Sequence, residues 1–392
     1  MYFLLNDIEY YRIFLYNYRG VFQLIYKVWG IGLLTELIII FIISVILSVG
    51  IVAFVLKLSH RKGWFDHIDE RKIHSGDIPR LGGVGFSAAF LLITAGVSFL
   101  FEFKGIDVIQ YWPCAAAMII MIISGVYDDF HPMSPGYKLL LQLVAAICVL
   151  IPGFTFDRLI YSGGGFLTDL GVLKYPVTLL WVVGLANAIN LIDGVDGLAG
   201  GMSALIAFFL GLIFYSYAGV SKAVLLCACL FGVLVGFLFF NSPFPRAKIF
   251  MGDCGSQFLG FTLALLPLMK SPDTPSSLPV LYAAVLFAIP IFDTTAAVWR
   301  RLRDGKKISD PDKSHLHHKL INLGLGAKGV DAVIYSLQIV IGILTFIAVH
   351  LYANELLSLL FLGGAYLLAI AFFIVIHFMN RAKLMKYADQ TI

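Results

Sequence analysis

The chain of 392 residues is 60% apolar and only 13% charged, where a soluble domain is about 45–50% apolar and about 25% charged. A soluble globular protein is therefore excluded, and the apolar positions suffice for about ten or eleven membrane spans of ~20 residues each. The formal charge of +4 is too small to argue for nucleic acid as a partner, so what matters is where the charges lie.

Residues 1–32 mix aromatics with Arg12, Arg19 and Lys27. They lack a compact charged start, an apolar core and a small-residue cleavage site, so they read as an interfacial amphipathic segment rather than a signal peptide. Hydropathy, punctuated by Gly, Pro and charge, then predicts eleven spans at 33–57, 82–101, 111–127, 138–153, 174–188, 200–217, 221–240, 254–270, 279–299, 330–351 and 356–379. Residues 33–379 form one transmembrane domain, followed by a basic tail at 380–392. The fold class expected is an all-α polytopic membrane protein of about 10–11 transmembrane helices. Cys114, Cys148, Cys227, Cys229 and Cys254 lie in or beside apolar runs and read as reduced thiols.

Most of the 28 basic residues fall in alternate loops and in the tail, among them Arg61, Lys62, Arg71, Lys72, Arg80, Lys138, Arg246, Lys248, Arg300, Arg303, Lys307 and Arg381. The positive-inside rule makes those loops cytoplasmic, with the N-terminus outside and the C-terminus inside. On the other face, residues 154–173 alternate around Gly163-Gly164-Gly165 and predict a small external β-hairpin.

The polar clusters gather in the cytoplasmic loops. In order they are Lys72-Ile73-His74 with Arg80-Leu81-Gly82-Gly83, then Asp128-Asp129, then Asn187 through Asn190 and Asp193 to Asp196-Gly197. Asn241 to Ser256 follow, including Lys248, Phe250 and Asp253, and last come Asp310 to His318 with Asp312, His315, His317 and His318. Asn190, Asp193 and Asp196 are spaced by three, which on a helix turns them the same way. Asn and Asp offer hard oxygens that suit Mg²⁺, an ion that shares its shell with substrate phosphates. The histidines stand beside lysines and fit a diphosphate better than zinc. Asp293 lies inside the ninth span, where a carboxylate is a functional candidate unless it pairs with Arg300. Acids for a cation, bases for phosphates and glycines for close approach, all on one face, are the equipment of phosphoryl transfer. A proton-coupled transporter is the rival reading of the same acids, and clustering at one face rather than at mid-membrane speaks against it.

Four motifs in this order carry a resemblance: Asp128-Asp129, Asn187-x-x-Asn190-x-x-Asp193-Gly-x-Asp196-Gly, Met251-Gly252-Asp253-x-Gly255-Ser256 and His315-x-His317-His318. Together, over about residues 60–325, the chain resembles the polyprenyl-phosphate N-acetylhexosamine-1-phosphate transferases. Pro132 after His131, Ile78-Pro79-Arg80-Leu81 before the glycine pair, and the broken histidine run resemble the N-acetylglucosamine branch more than the muramoyl-pentapeptide branch.

The resemblance implies a Mg²⁺-dependent enzyme (Mn²⁺ as a substitute) with a cytoplasmic-face active site in the cell (inner) membrane. Its reaction would move N-acetylglucosamine 1-phosphate from UDP-N-acetylglucosamine to undecaprenyl phosphate, the initiating step of cell-envelope polysaccharide synthesis. Another UDP-N-acetylhexosamine donor, or phospho-N-acetylmuramoyl-pentapeptide transfer, is the alternative, and a homodimer stays open. It also implies roles. Asn190 and Asp253 hold the metal, with Asp193 or Asp196 close by. Asn241, Phe250 and Lys72 receive the uridine. Asp128 and Asp129 position the lipid phosphate, with Lys138 as a phosphate contact. His315, His317 and His318 bind the diphosphate or sugar side, and Arg80, Asn187, Lys248 and Asp312 complete the substrate-binding set.

Overall fold

The computed structural model describes residues 33–65, 78–100, 111–160, 169–218, 221–242, 246–270, 277–310, 312 and 314–390. Residues 1–32, and Lys72 with its loop, lie outside that set. Thirteen α-helices follow one another among the described residues: α1 (Leu33–Lys62), α2 (Gly82–Leu100), α3 (Trp112–Phe130), α4 (Pro135–Leu150), α5 (Lys174–Ile192), α6 (Leu198–Ala218), α7 (Lys222–Asn241), α8 (Gly252–Leu265), α9 (Val280–Leu286), α10 (Ala288–Arg303), α11 (Leu316–Asn322), α12 (Ala327–His350) and α13 (Glu355–Gln390). Each of the eleven apolar runs is helical. Among the described residues, seven helices are long and apolar enough to cross a membrane, and eight if α9 and α10 count as one bent span. The chain is an all-α, multi-pass membrane protein.

Among the helices of the eleven apolar runs, α2, α4 and α8 fall short of that length. The last has 14 residues, about 21 Å at ~1.5 Å per residue, against a hydrocarbon core of ~30 Å. It needs no lipid-matching length, because every residue from Cys254 to Leu265 is buried in protein. α8 is the axis of the bundle, packed by α2, α3 and α5. Missing side chains make that packing possible. A Cβ on Gly83 would lie 2.2 Å from the Gly255 nitrogen, one on Gly125 2.3 Å from the Cys254 Cα, and one on Gly260 2.6 Å from the Leu185 carbonyl oxygen. Small residues let backbones touch where no hydrophobic effect drives helices together. The outermost helices, α1 and α13, instead leave most of their apolar surface open.

The ninth expected span is bent by 86° between α9 and α10. Pro290 lacks an N–H, and in a continuous helix its ring would strike the carbonyl of Leu286 four residues back. The chain breaks at Phe287, and the freed Leu286 carbonyl accepts a hydrogen bond from Gln338 Nε2 of α12 at 3.0 Å. A proline in a buried helix is tolerated on this condition, that a neighbour re-satisfies the backbone.

The hairpin expected at 154–173 is described only in its two arms. Its tip, 161–168, lies outside the described residues, and its arms share one isolated bridge, Arg158 with Asp169. The first arm is tied elsewhere: Val280 N–H and Leu281 N–H donate to the carbonyls of Arg158 and Leu159 at 3.0 and 3.1 Å. Lys270 pairs with Asp157 at 2.9 Å. α13 runs on from the last span into the basic tail, to Gln390. All five cysteines are free.

Candidate active site

The N-terminus of α8 is the centre of the site. Its N-cap residue, Met251, offers no capping side chain, so the first amides need an acceptor from elsewhere. Asp129, at the end of α3, supplies it: Oδ1 and Oδ2 accept the N–H groups of Asp253 and Cys254 at 2.8 and 3.1 Å. The approach is close enough that Gly252, at φ +72°, would place a Cβ 2.2 Å from the Arg80 carbonyl oxygen and 2.8 Å from Asp129. The segment before α2 completes the frame. Phe250 N–H donates to Pro79, and Gly82 and Gly83 donate to Phe250 and Met251, at 2.8 to 3.0 Å.

Asp253 is thus held at the first turn of α8 with its carboxylate outward. Oδ1 accepts from Asn190 Nδ2 at 2.7 Å and from Lys138 Nζ at 3.3 Å. Lys138 also pairs with Asp128, whose Oδ1 accepts Met133 N–H at 2.8 Å. Asn190 gives a second hydrogen bond to Ser256 Oγ at 2.8 Å. Asn190 therefore meets Asp253 as a hydrogen-bond donor here, and service as a metal ligand calls for its amide oxygen to turn to the ion. One level deeper, Asn187 does not face a substrate. It exchanges hydrogen bonds with Gln142, which also donates to Gln257 Oε1 at 3.2 Å. These two buried glutamines escaped the sequence reading, although lone polar residues in apolar spans are themselves a signal.

The expected helical register of Asn190, Asp193 and Asp196 does not form. α5 stops at Ile192, and Asp193 follows at φ −76°, ψ 56°. Gly194 and Gly197 are the stop signals, Gly197 at φ +87°. Asp196 turns away to accept Ala247 N–H at 2.9 Å. Asn241 is not available to a uridine: it is 3% exposed, accepts Gly197 N–H and donates to the Ile249 carbonyl, both at 3.0 Å. It clamps the Asp193–Gly197 turn to the 246–250 segment. From behind, Tyr335 of α12 donates to the Gly197 carbonyl at 2.5 Å, filling the space that a side chain on Gly201 would occupy. Lys248 points to solvent, and Phe250 is half-buried.

Asp193 has no hydrogen bond among the described residues. Burial pushes its carboxyl up to about 7, with the charges of Asp253, Asp129 and Asp196 adding to the rise and Arg80 opposing it. With Asp128 counted, five acids stand here against Lys138 and Arg80. That surplus of negative charge is what a divalent cation offsets. Among the described residues no group of three His, Cys, Asp or Glu gathers at metal spacing. Mg²⁺ does not require one, because it keeps several waters and takes one or two carboxylates together with substrate phosphates.

The histidine motif reaches the same place. His317 lies over Gly194, where a Cβ would come within 2.5 Å of its Nε2. Its ring is 4.2 Å from that of His318 and parallel to that of His315 at 5.9 Å. Burial holds the His317 imidazole down at about 4, with His318 adding to the effect, so the ring is neutral at pH 7. Arg300 does not pair with Asp293. Its Nε donates to Asp312 at 3.1 Å, which keeps the Asp312 carboxyl below the usual range against the opposing effect of burial. Asp312 is thereby a strut of the loop rather than an open substrate contact.

Residues 111–271 match the glycosyl transferase family 4 model. The chain is 35% identical over 317 residues to a probable undecaprenyl-phosphate N-acetylglucosaminyl 1-phosphate transferase of Bacillus subtilis, covering 79% of this chain and 84% of that protein. It is 29% identical to the undecaprenyl-phosphate alpha-N-acetylglucosaminyl 1-phosphate transferase of Yersinia pestis, over 75% and 78% of the two chains. The Escherichia coli K12 protein of the same name is 28% identical, over 70% and 74%. With its aspartate and glycine motifs assembled around one helix end, and with this extent of likeness, the chain belongs to glycosyl transferase family 4.

Proposed function

We propose that the protein transfers N-acetylglucosamine 1-phosphate from UDP-N-acetylglucosamine to undecaprenyl phosphate and releases UMP. The observation that carries this reading is the outward carboxylate of Asp253, with Lys138, Asn190 and Asp193 around it, at the end of a membrane bundle. The names of the relatives supply the substrates. An oxygen of the lipid phosphate attacks the sugar-bearing phosphorus. The bond from that phosphorus to the bridging oxygen breaks, and the oxygen leaves with UMP. The product is undecaprenyl-diphospho-N-acetylglucosamine.

The residues of the chain do the positioning. Asp253 and Asp193, with Asn190 turned to offer its oxygen, would hold the divalent cation. Such an ion neutralises charge on diphosphate oxygens and orients them. Lys138 sits between Asp128 and Asp253, a placement that lets it meet the incoming lipid phosphate while the two acids fix its direction. Phe250 offers a half-buried ring for the uracil, and His315, His317 and His318 border the diphosphate. The nucleophile needs no strong base, since the second pKa of a phosphate monoester is about 6.

In the cell, the basic loops favour a cytoplasmic site in the inner membrane, with the N-terminus outside and the C-terminus inside. Single cysteines at Val172, which is exposed, and at Asp310, which is half-buried beside the exposed Ile308, should label from opposite faces. For the reaction, the purified protein is incubated with Mg²⁺, undecaprenyl phosphate and a panel of UDP-sugars, and UMP is measured. Release should require the lipid, favour UDP-N-acetylglucosamine and stop with chelator. Release with UDP-N-acetylgalactosamine alone would reassign the donor, and none with any sugar would overturn the proposal.

A further inference from the structure

α10 carries a buried acid that none of the expected roles absorbs. Asp293 is 2% exposed and lies one turn beyond Pro290, so the bend at Phe287 sets where its carboxylate arrives. Both oxygens are engaged by the start of the histidine motif. Oδ1 accepts the Leu316 N–H at 2.8 Å, and Oδ2 meets His315 Nδ1 at 2.8 Å. His315 is itself 5% exposed. A carboxylate only accepts hydrogen bonds, so His315 must carry its proton on Nδ1. In the neutral ring the lone pair is then on Nε2, for which no partner exists among the described residues. The same carboxylate also holds the backbone amide one residue on, so ring and chain share one anchor.

We propose that Asp293 is a positioning residue for the transfer reaction. It fixes His315 in one tautomer, and makes Nε2 the single ring nitrogen through which that histidine meets the substrate diphosphate. This rests on the reading of His315 as a diphosphate contact. A ring locked in this way takes and gives its exchangeable proton at Nε2 alone, and the protonated ring donates a charge-assisted hydrogen bond from that atom.

Asp293→Asn separates this role from packing. The amide has the shape of the acid but one oxygen in place of two, while two donors, Leu316 N–H and His315 Nδ1–H, ask for it. The oxygen stays with the backbone amide, the NH₂ group faces Nδ1, and the ring must shift its proton to Nε2. ¹⁵N-histidine NMR of the whole protein in detergent reads this directly, with the His315 signals assigned by their loss in His315→Gln. The wild-type spectrum should show His315 protonated at Nδ1, and Asp293→Asn should invert the pattern. Turnover in the variant should fall on the order of 100-fold, the scale of one positioned proton-transfer or hydrogen-bonding group, while KM for the UDP-sugar changes by less than about threefold. A wild-type His315 protonated at Nε2 overturns the proposal without any variant. So does an Asp293→Asn protein with unchanged turnover. UMP release by the wild-type protein tests the transfer reaction itself, so the two readings fail separately.

Discussion

Asp129 was expected to position the lipid phosphate, and the structure gives it a different task whose removal can be costed. It caps α8 from another helix, taking the N–H groups of Asp253 and Cys254 at 2.8 and 3.1 Å. A buried donor left unmade costs about 1–3 kcal/mol. Asp129→Ala strands two donors and should cost about 2–6 kcal/mol. Asp129→Asn keeps one acceptor and should cost about half of that. Unfolding in detergent, followed with a thiol-reactive dye on the native cysteines, provides the measurement, because Cys254 is fully buried beside the cap. Both variants should melt early, alanine before asparagine. Both should lose turnover, because Asp253 rides on the turn that loosens. Variants as stable as the wild type, with a raised KM for the lipid phosphate alone, would show that Asp129 faces substrate and that the cap is incidental.

Three further outcomes are expected. Gly194→Ala should cut turnover more than tenfold with little change in melting, since its Cβ would sit 2.5 Å from His317 Nε2 and displace that ring; unchanged turnover would mean that His317 has no fixed seat there. His317 is held at about 4 in the fold, below its ordinary ~6.5, so the unfolded chain binds more protons between those values. Its contribution is complete above pH ~6.5 and is lost as the pH falls toward 4, on the order of 3 kcal/mol; His317→Gln should flatten the stability profile in that window, and identical profiles refute the assignment. Finally, Asp128→Asn should lower the transfer rate by a factor nearly constant from pH 7 to pH 9, because the lipid phosphate is already dianionic there. A defect that shrinks as the pH rises would instead make Asp128 the base.

The helices were legible in the sequence because burial in lipid demands long apolar runs, and all eleven runs are helical. Their breaks were less so. Pro290 stood in the ninth run in plain view, but whether a proline kinks or ends a helix depends on who takes the freed carbonyl, here Gln338 from 52 residues away in sequence. The register of Asn190, Asp193 and Asp196 failed for a local reason that was readable: Gly194 and Gly197 favour a turn. The gathering of Asp128, Asn190 and Asp253 was visible as motif chemistry. What each acid spends its oxygens on was not, because backbone donors such as Cys254 N–H and Ala247 N–H carry no mark in a sequence.

That expenditure sorts the acids. Asp129 is taken by the amides of α8, Asp196 by Ala247, Asp293 by His315 and Leu316, and Asp128 by Met133 and Lys138. Asp253 commits Oδ1 to Asn190 and Lys138, and its Oδ2 has no partner among the described residues. Asp193 commits neither oxygen there. Open oxygens on a fixed frame are what a phosphate-bound cation requires, because a ligand that must first find its place loses the advantage of preorganisation. A motif that reads as a row of equivalent aspartates is therefore two populations. The larger one builds the frame from backbone amides and side-chain cations, and the smaller one, Asp253 and Asp193, keeps oxygens open for the proposed cation. Substitutions in the first group act by moving the second, so their kinetic defects alone cannot be read as contact with substrate; only a parallel measurement of stability separates the two.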